Sequence, residues 1–178
     1  MSHWGGVGAF SAVGQEQSPI SATGDEMALF LSTYLNKVDR KGRVSVPASF
    51  RAALAGQAFH GVVAFPAVGV PSIDCFGIDR MERLSASIDD IDLFSDRQRN
   101  LSATIFADSH QLAFDGEGRI LLPEALVTHT QIADQALFAG AGPSFQIWSP
   151  DAFRRYQQDA RGKAQGLSVK LRPAGSGS

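Results

Sequence analysis

The chain has 178 residues, 44% of them hydrophobic and 19% charged, a globular composition that excludes a disordered chain. The formal net charge of -2 hides blocks of opposite sign, so a polyanion can still be bound through a local basic face. The single cysteine, Cys75, excludes an intrachain disulfide, and no run approaches the ~20 apolar residues of a membrane span.

Residues 1–26 are rich in Gly, Ser and Ala and weakly patterned, which predicts a flexible extension. They carry no basic segment followed by an apolar block, so no signal peptide is expected. Folded pattern begins near Met27, which could itself be the start. Leu29 to Val38 alternates and predicts a strand. Asp39-Arg40-Lys41-Gly42 has turn chemistry, with Asp at the first position and Gly at the fourth. Arg43 to Val46 is the return strand. Pro47 opens a short helix to Leu54 with Phe50 and Leu54 inward. Strands follow at 61–65 and 73–78, split by a Pro/Gly loop.

Asp79 to Ile88 predicts a helix with Met81, Leu84 and Ile88 inward. Ser95 to Phe106 predicts a second, after an acidic joint at 89–96. The first pattern then returns: a strand at 110–114, a turn at 115–118, a strand at 119–122 and a helix from Pro123 to about Thr130. A hairpin at 136–139 and 145–148 precedes a last helix, with Ser149 as candidate N-cap and Pro150 at its first position, running through Tyr156. The tail, residues 161–178, is small and polar and expected to fray. The organisation is then an extension (1–26), a first unit (27–78), bridging helices (79–108), a second unit (109–160) and a tail.

The charge is concentrated around one stretch. Residues 35–53 hold five basic residues against Asp39 alone, and Asp39-Arg40-Lys41-Gly42-Arg43-Val44-Ser45-Val46-Pro47 sits at their centre. The pattern recurs 76 residues later as Asp115-Gly116-Glu117-Gly118-Arg119-Ile120-Leu121-Leu122-Pro123. Four residues across a tight turn bring Asp39 close to Arg43, and Asp115 close to Arg119, so each carboxylate can accept turn amides and pair with the guanidinium. Asp39, Gly42, Asp115, Gly118 and Arg119 are therefore expected to hold the turns. The tips differ. The first presents Arg40 and Lys41, with Lys37 just before it; the second presents Gly116 and Glu117. Phosphate contact needs outward cations, so only the first tip is a DNA-facing candidate. Neither unit has the core to stand alone, and the halves are expected to exchange strands or pack about a pseudo-twofold axis.

These residues resemble a known family. Asp39 to Arg51 is similar to the first signature of the MraZ family of bacterial transcriptional regulators, and the second copy with Phe145-Gln146-Ile147-Trp148 is similar to its second half. The resemblance covers Met27 to about Tyr156. Residues 1–26 fall outside the family pattern, and Arg40 stands where many members carry a small residue. The resemblance implies a mixed α+β, β-rich fold of two tandem AbrB-like swapped-hairpin units. These would form a pseudo-twofold, barrel-like core with bridging and C-terminal helices. It also implies a homo-oligomeric ring, an octamer or dodecamer, that binds double-stranded DNA at short direct repeats before the division and cell-wall gene cluster, often as a repressor. By position, Lys37, Arg40, Lys41 and Arg43 form the DNA-binding group. Arg43 or Arg40 is the candidate base reader; Lys37 and Lys41 are candidate phosphate contacts.

Other classes fare worse. Cys75, His60, His110 and His129 lie on different elements without metal-ligand spacing, so neither a catalytic nor a metal site is expected, and no cofactor. Gly116-Glu117-Gly118 has no directly following helix and no Lys, so it is not a phosphate cradle. The rival is an oligomeric barrel-type protein-interaction module that does not bind DNA. A cytoplasmic, nucleoid-associated location follows from the DNA-binding reading.

Overall fold

In the computed structural model, residues 29–92 and 94–173 are described. The elements, in chain order, are β1 (Thr33–Lys37), β2 (Arg43–Ser45), α1 (Ala48–Ala53), β3 (Gly61–Pro66), β4 (Ser72–Phe76) and α2 (Ile78–Asp89). Next come α3 (Asp96–Leu101), which runs on as a π-helical turn over Ser102–Phe106, then β5 (His110–Ala113), β6 (Arg119–Leu121) and α4 (Glu124–Thr130). The chain closes with β7 (Gln135–Gly140), β8 (Phe145–Trp148) and α5 (Pro150–Ala164). The fold is mixed and β-rich, built on one large antiparallel sheet. The expected extension, residues 1–26, lies outside the described residues.

The sheet has six strands in the order β1-β7-β8-β4-β3-β5, and β2 and β6 form a separate two-stranded ribbon. Exchanging the two halves turns β1 into β5, β7 into β3 and β8 into β4, so the order reads alike from either end. At the centre β4 meets β8, with Ile73 opposite Ile147. In the ribbon Val44 lies opposite Ile120, residues that are 76 apart in the sequence. The sheet does not close: β1 and β5 are its edges.

The predicted return strand is corrected here. β2 does not pair along β1; the two share only a bridge between Val38 and Val44. Thr33–Lys37 instead pairs antiparallel with residues 135–139 of β7, from Thr33 opposite Ala139 to Lys37 opposite Gln135, while β2 pairs with β6. The reason is burial. Val44 and Ile120 are completely buried, and a strand continuing the sheet beside β1 could not bring both into one core.

That core lies on one face of the sheet. Phe30, Val62, Ile73, Phe138, Phe145 and Ile147 pack there against Phe50 and Leu54 of the first helix, Leu126 of α4, and the ribbon's inner residues. Phe50 meets the rings of Phe30 and Phe145 at centroid distances of 5.3 and 4.9 Å. On the opposite face Trp148, Ala139 and Ala152 form a smaller cluster with Phe153 beneath α5. The α2 helix lies against β3, Arg80 stands over the Phe76 ring, and Ile88 is buried while Met81 and Leu84 are half-buried. Cys75 is fully buried, and burial pushes its thiol pKa up, so it is a core residue and not a nucleophile.

Two helix-end expectations change. Ser149 stands at the N-cap of α5, with Pro150 following, but its side chain makes no capping bond. The helix runs to Ala164, past the predicted end at Tyr156. Residues 157–164 lack the apolar periodicity that reveals a helix from sequence. They are held by good helix-formers and by pairs such as Lys163 with Asp159 at 2.7 Å. Residues 161–164 of the expected tail thus fall within α5.

Candidate nucleic-acid interface

Each predicted turn is a compact set of bonds around one aspartate. In the first, the Gly42 amide donates to the Asp39 carbonyl at 3.0 Å, and the Asp39 amide donates to the Arg43 carbonyl at 2.9 Å. Asp39 Oδ1 accepts the amides of Lys41 and Arg43, both at 2.9 Å, and Oδ2 accepts Arg43 Nε at 2.7 Å. Gly42 has φ +83°, a conformation glycine adopts without a Cβ penalty. The second turn repeats all five bonds with Asp115, Glu117, Gly118 and Arg119, each within 0.1 Å. These contacts are made by Asp39, Gly42, Asp115, Gly118 and Arg119, together with their neighbours in each turn.

The electrostatics follow. The Arg43 amide, then its guanidinium, hold the Asp39 carboxyl below its usual pKa. The Arg119 amide and guanidinium do the same for Asp115. In return the Asp115 carboxylate raises the pKa of Arg119. Both acids are thus charged acceptors committed to their own turns.

On these matching scaffolds the exposed groups differ. Arg40, Lys41 and Lys37 are exposed. Arg43 spends Nε on Asp39, and its two terminal nitrogens have no protein partner among the described residues. At the second tip Glu117 takes up that capacity, with its carboxylate 3.4 Å from Arg119 Nη1. Arg51 adds a further asymmetry: its guanidinium donates to the Val46 carbonyl at 3.1 Å and lies so close over Gly118 that a Cβ there would meet it at 2.6 Å. One half therefore presents free cations, while the other presents an acid against an arginine.

The ribbon joins what sequence reading kept apart. Val44 and Ile120 point into the core, so Arg43, Ser45, Arg119 and Leu121 lie on its outer face. Register sets Arg43 opposite Leu121 and Ser45 opposite Arg119. The strands are antiparallel, and the turns stand at opposite ends: the Leu122 amide donates to the Gly42 carbonyl and the Val46 amide to the Gly118 carbonyl. Arg40, Lys41 and Arg43 belong to the turn at the first end, and Lys37 ends β1 just before it. Leu121 was not among the sequence candidates, yet it is 57% exposed beside Arg43. The available signal was its alternation with buried Ile120, which puts an apolar side chain on the wet face. Such a face offers hydrogen-bond donors and an apolar contact, a combination suited to phosphates, base edges and thymine methyls.

Elsewhere the candidate groups stay apart. His60 packs on Phe114, and His129 Nε2 lies 3.1 Å from the Val70 carbonyl. Among the described residues no group of His, Cys, Asp or Glu could hold a metal ion, and no helix is long and apolar enough to cross a membrane.

The family model described as "MraZ protein, putative antitoxin-like" matches residues 105–166. The chain is similar to the protein named transcriptional regulator MraZ from Pelagibacter ubique (strain HTCC1062), with 46% identity over 136 residues, covering 76% of this chain and 88% of that relative. It is also similar to proteins of the same name from Rickettsia felis, at 42% identity, and Rickettsia rickettsii, at 43%. Both of those matches cover 83% of this chain and 99% of the relative.

Proposed function

The chain belongs to the MraZ family, and from that premise we propose that it is a sequence-specific DNA-binding transcriptional regulator that uses the first turn and the adjoining ribbon face. The observation that carries the proposal is the asymmetry of the two turns. The same five bonds support free cations at one tip and a Glu117–Arg119 pair at the other. The relatives' name, transcriptional regulator, supports the class.

In this reading a two-stranded ribbon enters the major groove. Arg43 is held by Asp39 through Nε, and its terminal nitrogens donate to guanine O6 and N7. Lys37, Arg40 and Lys41 contact phosphates, and Leu121 covers a thymine methyl. Asp39 thus acts as a positioning residue that presents the reading group in a set direction. The halves, residues 27–78 and 109–160, are AbrB-like swapped-hairpin units around a barrel-like core. One tip is a small contact, so copies assemble into a ring, an octamer or dodecamer, that engages short direct repeats together and gains avidity. The protein represses the division and cell-wall genes downstream and works in the cytoplasm at the nucleoid.

The test is binding to the DNA upstream of the protein's own gene, followed by gel shift at two salt concentrations. The wild-type protein binds and weakens as salt rises. Arg40→Gly combined with Lys41→Glu, which writes the second tip onto the first, abolishes the shift and leaves the fold intact. Lys41→Ala alone flattens the salt slope by about 1 unit. A wild-type protein that gives no shift at low salt overturns the proposal and favours a protein-interaction module.

A further inference from the structure

The β1 edge of the sheet is open over its first residues. Ser32 and Val38 bond to β7 through the Gly140 amide and the Asp134 carbonyl, and Phe30 exchanges both bonds with Gly142. Alternation in an antiparallel ladder then turns the amide and carbonyl groups of Thr33 and Leu35 away from β7. On that side β2 touches only the end of β1, where Val38 bridges to Val44 and Asn36 Nδ2 donates to the Ser45 carbonyl, so no strand of the described residues runs along Thr33 to Leu35. Exposed edges are normally blunted by charges, proline or close cover. Here Lys37 is the one charge on the strand, while Leu31 is 63% and Leu35 53% exposed. The opposite edge is different: β5 is shorter and carries His110 and Gln111.

Beside β1 runs a groove of about 430 Å³. Thr33, Ala139 and Gly140 form its sheet side, and Phe153, Tyr156 and Ala160 its α5 side. The groove and Leu35 lie on the same face, because Thr33 and Leu35 are two residues apart on one strand.

A matching segment follows α5. Leu167, Val169 and Leu171 are 76%, 91% and 94% exposed, and they alternate with Ser168, Lys170 and Arg172. Period two is the signature of a strand with one apolar face, not of a solvated tail. Gly166, at φ +82°, turns the chain out of the helix. Six extended residues span roughly 20 Å, against about 17 Å for the five of β1. Among the described residues nothing covers either surface.

We propose that residues 167–172 of one copy add as a strand to the β1 edge of a second copy. Leu167, Val169 and Leu171 then lie along Leu31, Leu35 and the groove, and the edge amides of β1 gain partners. This deepens the assembly part of the proposed function by naming the segment that joins copies; it is read without DNA, so its failure is separable from failure to bind a promoter.

The test mixes two full-length variants, one of them mass-tagged. The acceptor carries Leu35→Cys, and the donor carries Leu167→Cys, Val169→Cys or Leu171→Cys in turn; the native Cys75 is buried and stays silent. The expected result under mild oxidation is a disulfide-linked pair of tagged and untagged chains. It forms at one or two of the alternate positions and several-fold more slowly from Ser168→Cys or Lys170→Cys. Three results would overturn the proposal: no link from any donor, equal linking to Gln111→Cys on the β5 edge, or a link found only within a single chain carrying both cysteines.

Discussion

Arg43→Lys separates the two duties assigned to Arg43. The lysine keeps the charge but has no planar fork and no Nε to hold Asp39. The lost pair is about one-third exposed on each side, 34% and 35%. Solvent screens it, so its removal costs little stability and leaves Tm close to the wild-type value. A bidentate guanine contact is worth about 1–3 kcal/mol, so discrimination between operator and scrambled DNA falls roughly 5- to 150-fold for each site engaged. Arg119→Lys is the internal control. It breaks a pair of the same geometry, 2.8 Å long and 25% and 35% exposed, and so costs similar stability. Its discrimination stays at the wild-type level. Fluorescence anisotropy with the two duplexes at fixed salt reads the ratio, and calorimetry reads Tm. A folded Arg43→Lys protein with an unchanged ratio would refute Arg43 as the reader. An equal fall in Arg119→Lys would refute the asymmetry of the two tips.

Two further outcomes follow from the fold. Asp39 and Asp115 have carboxyls lowered from 3.8, so the stability they contribute is fully present above about pH 4 and is lost as pH falls through their folded values. Denaturation midpoints measured from pH 6 downward should show a shallower acid loss in the Asp39→Asn, Asp115→Asn double variant than in wild type, and equal slopes would count against the turn bonds. Gly140→Ala would place a Cβ 2.3 Å from the Phe30 carbonyl oxygen, where backbone must give way. A loss of about 1–3 kcal/mol is expected, against no change for Gly116→Ala, which meets nothing within 4 Å. Thermal unfolding that ranks the two variants alike would show that β1 does not pack as described.

Much was legible from local chemistry. The Asp-x-x-Gly-Arg spacing gives the same five-bond turn in both halves, because the carboxylate is placed to accept the amides two and four residues on. The contrast between Arg40-Lys41 and Gly116-Glu117 is likewise plain in the sequence, as are the alternation of β7 and β8 and the core placement of Phe50 and Cys75. The end of α5 was not legible, because residues 157–164 are polar all round and give no periodic signal. Nor was the pairing of β1 with β7, since a strand's own pattern states which face is buried but not which strand lies beside it. The tertiary structure decided that Val44 and Ile120 meet in the core, and this single contact turns two separate turns into the two ends of one ribbon. It set Leu121 beside Arg43 and left the edge of β1 open, because burying two apolar strands against each other outweighs extending the sheet by one more ladder.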